Sequence, residues 1–409
     1  MEGLDPSVPL ENVSDPKGLH IQFYVLSLSK LFKDLGTGML AFLIPLYIVN
    51  LHSPNFDAVP LVVKAGIVAT VFGFSNALSQ PFLGKFSDRI NRRKPFVLVG
   101  LGGFTILSAM YANTDVFEIV VLLRMVQGVT VAAMVPAIVA MVTHFSTTHT
   151  RGKAIGIYSS LRGFGFGSGS ILGGFIVDQY GFTPAFYACA FLGLLSTLLV
   201  YFFVNETYDD SGSADQSLQL QDNNSQFVIL AIAIFTMMVG IMVIFAFLPE
   251  YETKLNTTKL SLSIAVSAYV LVRVLFQTPV GLLSDRFGRK RILALGLLMN
   301  VPIVIGLGQV ESIDMLIGLR ALQGISMAAV ETPLMALAVE LTGGSAVSSK
   351  ISMITASQAA GMALGPLLGG ILGGYVSFEA PFNICGIMMI LSFFMVLIKI
   401  KEPKRIPVD

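Results

Sequence analysis

The chain has 409 residues, 54% of them hydrophobic and only 12% charged, with a formal net charge of +1. A water-soluble domain carries about a quarter charged residues, so an ordinary soluble globular protein is excluded, and the near-neutral balance shows no nucleic-acid footprint. Apolar runs of about twenty residues, the length a bilayer demands of a helix, recur from end to end.

The first twenty residues are polar and partly acidic, with no basic-then-apolar leader pattern, and read as a cytoplasmic tail. Six spans are expected near 21–50, 62–84, 95–113, 116–143, 153–178 and 182–204. Residues 205–226 are rich in Asp, Ser, Gln and Asn, lack Lys and Arg, and have no apolar period; they read as a flexible linker. Six more spans are expected near 227–250, 261–283, 292–309, 313–341, 350–375 and 380–400. The chain thus divides into an N-terminal half (1–204), a cytoplasmic linker (205–226) and a C-terminal half (227–409). Most connections are short, which favours antiparallel neighbours in a bundle. Assigned to alternate sides, seventeen of the 26 Lys and Arg fall with the two tails and three fall opposite. Both termini are therefore expected in the cytoplasm of a multi-pass protein of the cell (plasma or inner) membrane.

Two dense basic turns punctuate this pattern, Gly84-Lys85-Phe86-Ser87-Asp88-Arg89-Ile90-Asn91-Arg92-Arg93-Lys94 and Gly281-Leu282-Leu283-Ser284-Asp285-Arg286-Phe287-Gly288-Arg289-Lys290-Arg291, 197 positions apart. Arg124-Met125-Val126-Gln127-Gly128 recurs as Arg320-Ala321-Leu322-Gln323-Gly324, and Gly169-Ser170-Ile171-Leu172-Gly173-Gly174 as Gly365-Pro366-Leu367-Leu368-Gly369-Gly370, each 196 positions on. Such repetition marks a duplicated membrane domain, two parallel six-span halves related by an axis along the membrane normal. The pattern G-x-x-S-D-R-x-G-R-K/R resembles the signature loop of the major facilitator superfamily, which carries it between spans two and three and again between spans eight and nine. The second copy matches fully. The first has Asn91 in place of the usual Gly, and Asn tolerates a left-handed turn.

The resemblance implies an all-α membrane protein with twelve transmembrane helices in two pseudo-symmetric six-helix bundles, the major facilitator fold. It implies a secondary transporter with no resident cofactor, and a gating role for Asp88, Arg89, Arg92, Asp285, Arg286 and Arg289 that stabilises the outward-facing state. As a gate, Asp88 or Asp285 would accept hydrogen bonds from a helix N-terminus in the other half while the arginines brace neighbouring helices. Read without the resemblance, the same charges need only hold their loops inside.

Glycines crowd span five. Gly169, Gly173 and Gly174, like Gly365, Gly369 and Gly370 in span eleven, are expected to let helix backbones approach closely. They lie inside an apolar span with no preceding strand, so they do not form a phosphate loop. The family's proton-coupled drug antiporters carry G-x-x-x-G-P-x-x-G-G in span five. Span eleven holds it intact around Pro366, and span five has Ser170 at the proline position. The resemblance to those exporters is partial.

Span four holds Arg124 and Gln127, similar to the R-x-x-Q-G motif that the family associates with proton coupling. An Arg stays charged, so it would tune a nearby carboxylate rather than carry the proton; a plain helix–helix anchor is the alternative. Two carboxylates lie well inside spans, Asp34 and Glu331, at a depth where an ionised group costs about 3 kcal/mol or more. Depth along the helices suggests one acid–arginine pair per half, Asp34 with Arg162 and Glu331 with Arg273. Protonation of the acid would release each pair and bias the conformational equilibrium. A Lys30–Asp34 pair one helical turn apart is the alternative for Asp34.

The eighteen Met and thirty Phe suit an adaptable cavity for lipophilic ligands, or simply lipid-facing packing. Asn76, Gln80 and Gln277 would add polar contacts. Cys189 and Cys385 read as packing residues, and no metal site is expected. The leading expectation is proton-coupled export of small lipophilic compounds by a monomer, with protons or Na+ and membrane lipids as its other partners. An uptake or lipid-transporting member of the same class is the runner-up. A membrane enzyme is disfavoured because no H-E-x-x-H or G-x-S-x-G motif occurs, and a primary pump because no G-x-x-x-x-G-K-S/T loop occurs.

Overall fold

The structure is a computed structural model and describes residues 20–146, 150–207, 224–341 and 347–401. The helices of the N-terminal half are α1 (Ile21–Tyr47), α2 (Leu61–Ile90), α3 (Lys94–Tyr111), α4 (Phe117–His144), α5 (Arg151–Tyr180) and α6 (Phe182–Phe203). Those of the C-terminal half are α7 (Asn224–Met242), α8 (Ile244–Lys254), α9 (Lys259–Phe287), α10 (Arg289–Gly308), α11 (Ile313–Leu341), α12 (Val347–Tyr375) and α13 (Ala380–Lys399). α7 and α8 are one span, Ser225–Lys254, interrupted at Val243. Most of the expected linker, and both chain ends, lie outside the described residues.

Among the described residues, eleven segments are long and apolar enough to cross a membrane. The twelfth long helix, α5, falls short of that apolarity because glycine, serine and four charges dilute it. It still takes its place in the bundle, packed between α1 and α9.

The basic turns are tighter than expected. Helix α2 runs on to Ile90 and α9 to Phe287, so each loop shrinks to a few residues. Asn91 adopts φ 53°, the left-handed conformation that its side chain tolerates, and Gly288 adopts φ 105° at the matching position.

The two halves repeat one packing scheme. In the first, α1 packs on α5 and α6, α2 on α4, and α3 on α4 and α6; in the second, α7 packs on α12 and α13, α9 on α11, and α10 on α11 and α13. Small residues set the spacing within each half. A Cβ on Gly169 would run into the Leu35 carbonyl and one on Gly365 into that of Val239, while Gly173 and Gly369 face Met39 and Val243.

The halves meet along α2–α12 and α5–α9. Here Gly174 lies against Ser263 and Gly370 against the Val62 carbonyl. Thr70 Oγ1 donates to the Ala363 carbonyl (2.7 Å) and Ser267 Oγ to that of Gly167 (2.6 Å). The Asp178 carboxylate accepts the backbone N–H groups of Lys259 and Leu260. These contacts join the halves in the parts of α2, α5, α9 and α12 remote from the basic turns, so that end of the molecule is closed.

Candidate transport site

Just inside the closed end lies a cavity of about 850 Å3, counting the part open to solvent. Helices α1 to α5, α7, α8 and α12 contribute to its wall. Phe72, Phe104, Phe166, Phe245, Met242 and Met362 make it apolar and aromatic, while Thr37, Arg124 and Gln127 supply its polar side chains. The expected Met–Phe lining is present in part, since Met237 and Met238 are instead buried in the core. Asn76, Gln80 and Gln277 do not line the cavity.

Arg124 is buried, and three neutral groups hold it. Its Nη1 donates to Gln127 Oε1 (3.0 Å), its Nη2 donates to the Leu40 carbonyl (3.2 Å), and the guanidinium lies over Phe72, 5.3 Å from the ring centroid. Tyr111 donates to the same Gln127 oxygen (3.1 Å). The expected carboxylate partner of Arg124 is absent among the described residues: no ion pair reaches it, because no acid stands on the facing turns of α1, α2 or α3. Its counterpart Arg320 repeats the arrangement. There Nη1 donates to Gln323 Oε1 (2.5 Å) and to the Ile241 carbonyl (3.4 Å), and Gln323 Nε2 donates to the Gly240 carbonyl (3.4 Å). The Arg320 guanidinium lies 4.6 Å from the Tyr269 centroid. Both motifs therefore bind backbone oxygens of the first span of their half, and Arg320 does so beside the interruption at Val243, where polar side chains can re-satisfy backbone groups.

The two membrane-embedded acids are held differently. In the second half, Arg273 Nε lies 3.3 Å from Glu331 Oε2, tying α9 to α11, and Gln358 on α12 donates to Glu331 Oε1 (3.1 Å). The Arg273–Glu331 contact is a charge pair rather than an aligned hydrogen bond, since neither atom has a hydrogen-bond partner. In the first half the expected Asp34–Arg162 pair does not form. Arg162 is exposed, and no ion pair joins it to Asp34. Asp34 is instead clamped by two lysines of its own helix, Lys30 one turn earlier and Lys33 at 3.4 Å. A partner on the same helix needs no particular rotation of a neighbour to be in reach. Lys30 and Lys33 face the Tyr158 and Phe104 rings, 6.0 and 5.7 Å from their centroids.

The signature turns stay within their own halves where they are described. Arg289 bridges Asp285 (3.3 Å) and Glu340 of α11 (2.9 Å), and Arg89, Arg92 and Arg286 are exposed. Asp285 makes this local pair; the expected hydrogen bond to a helix N-terminus in the other half belongs to the conformation in which this end closes, and the Asp88 side chain lies outside the described residues. The helix N-terminus next to the first turn is filled by a group the sequence did not flag. Glu206, just after α6, accepts the backbone N–H groups of Arg93 (2.6 Å) and Lys94 (2.8 Å) at the start of α3. Its position three residues past an apolar run was its only signal in the sequence.

Paired six-helix bundles that enclose a central cavity and keep charge pairs inside their spans define the transporter class of membrane proteins. The model of the Major Facilitator Superfamily matches residues 26–228 and 230–408, and the chain belongs to this family. It is 24% identical over 261 residues to the quinolone resistance protein NorA of Staphylococcus aureus strain MRSA252; the match covers 63% of this chain and 65% of that protein. Its fold is similar to that of the human organic anion transporter MFSD10, with TM-score 0.67 at 18% identity over 91% of this chain and 98% of the other. It is also similar to the nucleoside transporter NupG, with TM-score 0.72 at 15% identity over 92% and 99%.

Proposed function

We propose that this protein is a secondary active transporter that works by alternating access and exports small lipophilic molecules in exchange for protons. The observation that carries the reading is the presence, in each half, of one carboxylate inside a span bound to a cation: Asp34 with Lys30 and Lys33, and Glu331 with Arg273. An ionisable group at that depth is costly, which makes it a functional candidate. Glu331, on α11, engages α9 and α12, so releasing it would loosen two helices that also meet the other half. The family membership and the resemblance to a quinolone resistance protein support export of lipophilic compounds. With the basic turns in the cytoplasm, the closed end is the outer one and the conformation faces inward.

The test is flux in proteoliposomes, using lipophilic fluorescent compounds of each charge class. Accumulation should follow an imposed pH gradient and collapse when a protonophore dissipates it. Flux that ignores the pH gradient and follows a Na+ gradient would remove the proton from this reading, and flux in the opposite sense would turn export into uptake.

A further inference from the structure

The charges within the spans do not balance. Lys30, Lys33, Arg124, Arg162, Arg273 and Arg320 face only Asp34 and Glu331 as deep acids. The acids are already engaged by Lys30, Lys33 and Arg273. Among the described residues, Arg124 and Arg320 are both buried and bound only to neutral oxygens and aromatic faces. A buried guanidinium without an anion is expensive, because a neutral acceptor recovers only part of its lost hydration.

Both arginines leave Nε buried without a hydrogen-bond partner. They differ in one respect: Arg320 is sealed in protein, whereas Arg124 lines the cavity. No acid stands among the cavity's lining residues. A second cation adds to the field: Lys33 Nζ sits against the ring of Phe104, which is itself part of the wall.

We infer that the cavity is built for amphipathic organic anions, with a ligand carboxylate supplying the counter-charge that Arg124 lacks. A carboxylate takes two parallel hydrogen bonds from a guanidinium, and Arg124 Nε is a donor still unused. The apolar body of the ligand then lies against Phe72, Phe166, Phe245 and Met362. This inference rests on the transport reading above and narrows its lipophilic substrates to those that carry a carboxylate.

Three probes of one shape separate the possibilities: 2-naphthoate, its neutral amide 2-naphthamide, and the cation 2-naphthylmethylammonium. The chain contains no Trp, so naphthyl fluorescence reports binding to the purified full-length protein. The carboxylate should bind at least about tenfold more tightly than the amide. Arg124→Gln should bring that ratio close to one, and Arg124→Lys should restore part of it. Equal binding of carboxylate and amide to the unaltered protein overturns the inference, as does preference for the cation or no binding of the carboxylate. These outcomes need no variant to fold. Carboxylate preference that persists in Arg124→Gln also overturns it. The ratio is independent of coupling: an anion preference without pH-driven flux sinks the export reading alone, and pH-driven flux without an anion preference sinks this inference alone.

Discussion

The Asp178 carboxylate, at the far end of α5, accepts the backbone N–H of Leu260 at 2.8 Å, and that of Lys259 at 3.1 Å, at the first turn of α9. One acid of the first half thus caps a helix of the second half. Thr258 caps the same helix by accepting the Ser261 N–H, so α9 keeps one cap when the halves separate. Asp178 makes its contact only while this end is closed.

Asp178→Ala should therefore shift the equilibrium away from the closed-end conformation without unfolding α9. A capping carboxylate contributes about 1 kcal/mol, which is about fivefold in a conformational equilibrium. Spin labels at Tyr180 and Thr253, both exposed near this end, would read the change as a larger population of long distances. An unchanged distance distribution would show that the capping contact does not hold this end shut.

Glu331→Gln keeps a group that can bond Gln358 but leaves Arg273 without its charge partner. Breaking a largely buried pair from one side costs about 3 kcal/mol, so the thermal midpoint in detergent should fall. If Glu331 carries the coupled proton, pH-gradient-driven flux should disappear, leaving only downhill flux. Asp34→Asn should do the same in the other half. Should both variants keep gradient-driven flux, the coupling group lies elsewhere.

The fold was legible because the bilayer imposes long apolar runs and because duplication repeats its signals at a fixed offset. The left-handed turn at Asn91 was legible too, since few residues other than Gly tolerate it. The charge partners were not, and the reason lies in the second half. Gly165 abuts the Leu31 carbonyl and Gly361 that of Phe235, which fixes the register of α1 against α7. In that register Lys33 falls opposite Met237, and Asp34 opposite Met238. Met237 and Met389 accept the Asn300 amide at 3.1 and 3.2 Å. Arg162 corresponds to Gln358, 196 positions on, and it is Gln358 that bonds Glu331. The halves share their backbone packing but not their charges, so expecting one acid–arginine pair in each carried the symmetry too far. Depth along a helix also says nothing of rotation about its axis, and rotation decides whether Arg162 can reach Asp34.

The glycines of α5 and α12 offer a graded test of close packing. A methyl group on Gly169 would meet backbone of α1, and backbone cannot swing aside as a side chain can. Gly169→Ala should destabilise the protein by about 1–3 kcal/mol, read as a lower melting midpoint. Gly102→Ala is the internal control, because nothing lies within 4 Å of the added Cβ. It should be neutral or slightly stabilising, since Ala is the better helix former. Equal effects at the two sites would mean that helix propensity rather than close approach governs both.

Lys30 and Asp34 provide the sharpest check on how the first half manages its buried charge. Asp34→Asn leaves two lysines buried with no acid in contact; Lys30→Met leaves Asp34 with Lys33 alone, at 3.4 Å. Asp34→Asn strands both lysines and should cost about 3 kcal/mol, whereas Lys30→Met leaves Asp34 paired with Lys33 and should cost less. The double change strands only Lys33, so its cost should fall short of the sum by about 1–3 kcal/mol. Denaturant titration of the four proteins in one detergent measures that difference. Strict additivity would mean that the contact is a bystander and that Lys33 alone neutralises Asp34. In that case Lys33→Met, not Lys30→Met, should show the coupling, because one of the two lysines must answer the carboxylate at this depth.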